Sequence, residues 1–148
     1  RQRQMCIRDS AHVGEEKLAY EIAVNHLENA VQVYNETGTL WENYAPEEIA
    51  RGSHSRPKFV GWTGLTPVAI LFEYVFGIRT DEQNYKIIWH INRTERHGIE
   101  NYPFGDASVD LLCEARAEKE RPVITVKSDR PVQVEVHWNG EVFMVESR

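Results

Sequence analysis

Between Gly14 and Tyr34 the apolar residues fall at Tyr20, Ala23, Val24, Leu27, Ala30, Val31 and Tyr34, the i, i+3, i+4, i+7 progression of one helical face. The spacing predicts an amphipathic helix. Asn35-Glu-Thr-Gly38 supplies its end, since Gly38 suits the left-handed position that follows a last helical turn. Residues 40–62 contain Pro46, Gly52, Pro57, Gly61 and the polar run Arg51-Gly-Ser-His-Ser-Arg56, which predicts a long loop with at most one helical turn, starting near Pro46. Thr66-Pro67 then reads as an N-cap and first helical residue. Val68 to Phe76, apolar on nearly every side and closed by Gly77, predicts a buried helix.

The character changes at Asp81. From there the helical period gives way to short β-rich runs at Tyr85 to Ile91, Ala107 to Cys113, Pro122 to Val126, Val132 to Trp138 and Glu141 to Val145. Val132, Val134, Val136 and Trp138 alternate with polar residues, as do Val142 and Met144, the pattern of an antiparallel sheet with one solvated face. Asn139-Gly140 between the last two runs is the strongest short signal for a two-residue hairpin. The pattern as a whole is α+β, helices first and strands after.

Composition narrows the function classes. The 148 residues, 41% hydrophobic, provide material for one modest domain or a piece of one. Seventeen basic against 23 acidic residues leave a net charge of −6, and no basic run occurs after the first ten positions, so nucleic acid is not an expected partner. Cys6 and Cys113 are too few for a disulfide framework or a four-cysteine zinc site. The longest apolar stretch, Val68 to Phe72, is far short of the roughly 18 residues that span a bilayer, so no membrane segment is expected. The opening RQRQMCIRDS has neither a helical nor a strand period and no signal-peptide layout. It resembles translated sequencing-adapter read-through, and residues 1–10 are expected to be non-native sequence in front of a truncated domain.

Two segments could carry chemistry. In Leu40-Trp-Glu-Asn-Tyr-Ala-Pro46, Glu42 stands between Trp41 and Tyr44 on a loop leaving the long helix. Aromatic faces stack on sugar rings, and a carboxylate flanked by them is partly desolvated and suited to general acid or base work. The alternative is that Trp41 and Tyr44 anchor the loop to the core while Glu42 faces water. In Phe59-Val-Gly-Trp-Thr-Gly-Leu-Thr-Pro67, Trp62 lies between glycines at the mouth of the next helix and is either a sugar platform or a core residue. Glu47 and Glu48 follow Pro46, where acids favour a helix start, and Glu73 within the buried helix suits a structural ion pair. His90, His97 and His137 show no metal-ligand spacing on any one element, so no metal site is expected and no cofactor is called for.

The order WENYAPE, then a polar loop, then FVGWTGLTPVAILFEYVFGI resembles the C-terminal end of the catalytic domain of trehalase-like, six-hairpin glycosidases, especially glycoside hydrolase family 63 and its mannosylglycerate-hydrolase-like relatives. The resemblance implies that residues 11–80 are the last helical hairpin of an (α/α)6 barrel and residues 81–148 a β-rich C-terminal domain. By the same resemblance Glu42 falls on the catalytic base, Tyr44 and Pro46 on the aromatic and proline that follow it, and Trp62 on the tryptophan opening the last inner helix. Trp41, Tyr44 and Trp62 would contact an oligosaccharide or glycoside, an α-linked glucoside, mannoside or relative. Such enzymes invert: one carboxylic acid protonates the leaving oxygen while a second carboxylate activates water, the two about 6.5–9.5 Å apart. In the family the acid is an aspartate well upstream, and no position here corresponds to it. The chain is therefore expected to be inactive alone, lacking the N-terminal part of its own domain. The rival reading is a non-catalytic carbohydrate-binding or interaction module.

Overall fold

A computed structural model describes residues 2–56 and 59–147, without the side chains of residues 2–4, 62 and 63. The chain forms two compact units, the first ending at Val75 and the second starting at Phe76.

The first unit is helical. It opens with α1 (Gln2–His12), where the sequence shows no period at all. The helix forms because Gln, Arg and Met favour helical backbone, and among its described side chains Ile7 is fully buried while Ala11 packs beside the same cluster. Ile7 and Ala11 are too few to make an apolar stripe that can be read. Next, α2 (Glu16–Thr37) ends on Gly38, whose φ of 74° accepts the left-handed turn and whose N–H reaches the Tyr34 carbonyl. Its buried positions are Ala19, Ala23, Ala30 and Val33. Their centre lies roughly 75° around the helix from the centre of the face that the spacing predicts, with Ala23 and Ala30 common to both. Val31 and Tyr34, expected inside, are 56% and 47% exposed. The alanines win the core side because α1 and the later helical segment approach α2 closely there: Ile7, Ala19, Ala23, Ile70, Tyr74 and Val75 form one cluster.

The second helical segment is shorter than its apolar run. A 3₁₀ turn at Trp62–Leu65 leads into α3 (Thr66–Ile70), with Pro67 in its first turn, and a π-helical turn follows at Leu71–Val75. Thr66 is already the first helical residue, and Leu65 stands at the cap position. Only part of this run is enclosed: Ile70, Tyr74 and Val75 are buried, whereas Leu65 and Val68 are among the exposed large apolar residues.

The second unit is two sheets around one core. β1 (Ile78–Asp81), β2 (Lys86–His90), β6 (Gln133–Trp138) and β7 (Glu141–Glu146) form a four-stranded sheet in the order β1-β2-β6-β7. β3 (His97–Phe104), β4 (Ala107–Cys113) and β5 (Ile124–Ser128) form a three-stranded antiparallel sheet. The expected all-antiparallel arrangement needs one correction: β2 and β6 run parallel, Ile87 beside Val134 and Trp89 beside Val136. The segment 91–132 returns the chain to the same end of the sheet, which is what a parallel pair requires. β1 and β3 were not evident from alternation, because β1 is four residues long and β3 is broken by a bulge between Ile99 and Tyr102. Asn101 in that bulge has φ 55°, and its N–H is received by the Asp110 carboxylate at 2.8 Å.

Inward-facing residues of both sheets, among them Ile87, Trp89, Val109, Leu111, Val126, Val134 and Val136, make one buried cluster. Trp89 is fully buried and its indole N–H donates to the Phe76 carbonyl at 2.8 Å, so the large ring is buried with its polar atom satisfied. At the hairpin tip Asn139 and Gly140 have φ of 49° and 81°, both positive as a type I′ turn demands.

Candidate active site

The loop after α2 is built around Trp41. Its indole N–H donates to the Thr37 hydroxyl at 2.8 Å, and that hydroxyl in turn donates to the Val33 carbonyl at 2.7 Å inside the helix. The Arg51 guanidinium carbon stands 5.1 Å from the centre of the Trp41 ring, within cation–π range. Trp41 is only 6% exposed. Its ring therefore faces protein and a bonded cation, and it fixes the direction in which the next residue leaves the helix.

That next residue is Glu42, half-buried, with its side chain against Gly61. Gly61 has φ 58°, and a Cβ there would lie 3.2 Å from Glu42 Cγ. Glycine is needed at this point for both the backbone angle and the space under the carboxylate stem. A chain reversal beyond Glu42 is closed by an antiparallel bridge between Tyr44 and Arg51, with Ala45 N–H to Ala50 O and Gly52 N–H to Asn43 O, both 2.9 Å. Residues 46–50 bend rather than form the expected helical turn, because the bridge pulls both ends of the segment together. Glu47 and Glu48 thus lie at the tip of a reversal, not at a helix start.

Tyr44 is half-buried, its hydroxyl accepting the Trp41 N–H at 3.3 Å and its ring meeting His26 of α2 edge-on at 5.9 Å. Ser55, almost fully buried, has its hydroxyl 2.7 Å from Asn43 Oδ1 and 3.0 Å from Asn43 O, and the Arg51 guanidinium reaches the Ser55 carbonyl at 3.1 Å. The reversal leaves a cleft of about 610 Å³ with Asn43, Tyr44, Pro46, Glu47, Glu48 and Arg51 in its wall. Volumes of this size accommodate small ligands.

Of the expected site residues, the structure brings Trp41, Glu42 and Tyr44 onto one loop, with Trp41 inside and Glu42 and Tyr44 half-exposed. Trp62 starts the 3₁₀ turn one residue after Gly61, and its side chain lies outside the described residues. In the sequence Arg51 and Ser55 read as members of a polar loop. Their only signal is a cation and a hydroxyl returning within about ten residues of an aromatic pair. Among the described residues no group of three or more His, Cys, Asp or Glu side chains could hold a metal ion, and no helix is long and apolar enough to cross a membrane.

Residues 7–72 match the family model for the glycosyl hydrolase family 63 C-terminal domain. The helical part of this chain is a family 63-like fragment. The matched segment runs from the buried Ile7 of α1 to the middle of the π-helical turn and contains the whole Trp41–Ser55 loop. The likeness to a glycosyl hydrolase domain thus covers the helical part of the chain. No solved structure matches the chain.

Proposed function

We propose that this family 63-like fragment is the C-terminal part of an inverting glycoside hydrolase acting on α-linked glucosides, mannosides or related oligosaccharides, with Glu42 as the general base. One observation carries the reading: within the family 63 match, Glu42 is half-buried on the loop leaving α2, its stem packed on Gly61 and its backbone set by the buried Trp41. A carboxylate so held keeps a fixed direction, which is what activation of a single water requires.

The roles divide accordingly. Glu42 would take the proton from the attacking water, and Tyr44 would line the approach. Trp62 remains the candidate for a stacking contact with the sugar. Trp41 acts as a positioning residue, since Arg51 covers its ring and Thr37 holds its N–H. That covering also counts against the rival reading of a binding module with Trp41 in its platform. The general acid would come from another hairpin of the same barrel, so the chain alone hydrolyses nothing.

The test is Glu42→Gln in the gene product that carries the rest of the barrel. The amide keeps the shape and loses the base, so kcat should fall by about 10²–10⁴ while glycoside affinity stays within a few-fold. Turnover at the parent rate would remove Glu42 as the base.

A further inference from the structure

We propose that His97 is the acid-sensitive element of a latch in which Arg116 fastens the loop 91–96 to the loop 114–122 at one end of the β unit. His97 opens β3 opposite Cys113 of β4 and is 8% exposed. Its Nδ1 lies 2.7 Å from the Glu95 carbonyl. A carbonyl can only accept, so Nδ1 carries the proton and Nε2 presents a lone pair. Nε2 is buried and has no hydrogen-bond partner among the described residues. The ring stands edge-on to Trp89 at 5.8 Å, so the latch sits directly on the unit's largest core residue.

The groups around it make protonation costly. Arg93 and Glu95 act on it from its own loop and Arg116 from beyond the end of β4, where Cys113 lies opposite it and Glu114 follows, and the uncharged Trp89 of β2 meets it edge-on. The two carboxylates are directed at other cations, Glu95 toward Arg93 at 3.6 Å and Glu114 toward Arg96 at 3.3 Å. Burial disfavours the His97 imidazolium most; the Glu95 carbonyl opposes that, and the Arg93 and Arg116 guanidiniums act with burial, leaving the imidazole below its ordinary range. A proton arriving at Nε2 puts a third cation beside two guanidinium groups with no acceptor to receive it.

The bonds that would yield are local. Arg116 stitches the two loops: its N–H donates to Thr94 O at 2.9 Å, Nη2 to Arg93 O at 3.0 Å, and Nη1 to Glu118 O at 2.9 Å, with the guanidinium carbon 5.5 Å from the Trp138 ring. Swinging residues 93–97 outward solvates the imidazolium and breaks the first two of these bonds, while the His97–Glu95 bond moves with the segment. The β6–β7 hairpin needs none of them.

Hydrogen exchange on the full chain at about pH 7.5 and about pH 5, corrected for intrinsic rates, reads this opening. The latch predicts that segments 93–97 and 113–120 lose protection by more than about tenfold at the lower pH, while the β6–β7 hairpin does not. His97→Gln, which keeps a donor for the Glu95 carbonyl and has no titrating nitrogen, should abolish the difference, and His137→Gln should leave it intact. Acid opening that survives His97→Gln, or disappears with His137→Gln, overturns the proposal. Long-range ¹H–¹⁵N spectra of the imidazoles decide independently of how the variants fold: Nδ1–H at neutral pH with titration below that of a free imidazole supports the latch, and titration at or above it sinks it.

Discussion

Ile7→Ala tests whether the opening helix belongs to the fold. Ile7 is fully buried and meets Ala19, Ala23, Ile70, Tyr74 and Val75. The substitution removes three carbons, a transfer loss of roughly 2.4 kcal/mol at about 0.8 kcal/mol per methylene. Its neighbours include two alanines on a rigid helix, which cannot reach into the space left behind, so a cavity cost adds to the transfer loss and the expected total is about 3–4 kcal/mol. Urea unfolding followed by far-ultraviolet circular dichroism reads it, with Arg8→Ala, one residue on and exposed, expected within about 0.5 kcal/mol of the parent. If Ile7→Ala also stays within about 0.5 kcal/mol, then α1 is not anchored as described and the opening decapeptide contributes nothing to the fold, the behaviour of an appended non-native segment.

Gly77→Ala should destabilise the β unit by more than about 2 kcal/mol, because Gly77 has φ 73° and a Cβ there runs into the His90 carbonyl oxygen; a melting temperature unchanged by the substitution would contradict the placement of that turn. One thiol of the two should react with a small alkylating reagent under native conditions, since Cys6 is exposed while Cys113 is buried and its burial raises the thiol above its ordinary range; rapid loss of both would mean that β4 opens readily. Glu135 is held below its ordinary carboxyl range by Lys86 at 2.5 Å and then by His137 at 2.7 Å. Its contribution is therefore present above about pH 4.5 and is lost as pH falls through the lower folded value, so Glu135→Gln should flatten the acid limb of the stability curve relative to the parent. Equal slopes below that pH would show the three-residue ladder to be inert.

What could be read from the sequence follows from how each element is held. The β4 strand and the Asn139-Gly140 turn were legible in full, because alternation and a positive-φ dipeptide are purely local signals. The length of α2 was legible too, with most of its buried side, since Ala23 and Ala30 are buried and Tyr20, Val24 and Leu27 pack against the core; Val31 and Tyr34 near its end turn outward. Nothing local announces α1, with one buried residue among its described side chains, or the parallel pairing of β2 with β6, which depends on strands far apart in the chain. At the site, Glu42, Tyr44 and Trp41 were singled out by composition, whereas the inward turn of Trp41 was not, because it depends on Arg51 and Thr37 arriving from either side.

The parallel pair also fixes an order of events during synthesis. β2 has only the four-residue β1 to pair with until β6 emerges, and everything between them, residues 91–132, contains the whole β3-β4-β5 sheet. That sheet closes through near neighbours and can form first, while the four-stranded sheet waits for its most distant contact. On a ribosome the core face of β2, with Ile87 and Trp89, would stay wet for as long as it takes to make those residues, so the stretch of the chain most in need of protection from premature association is 85–91, far from the end whose arrival completes it.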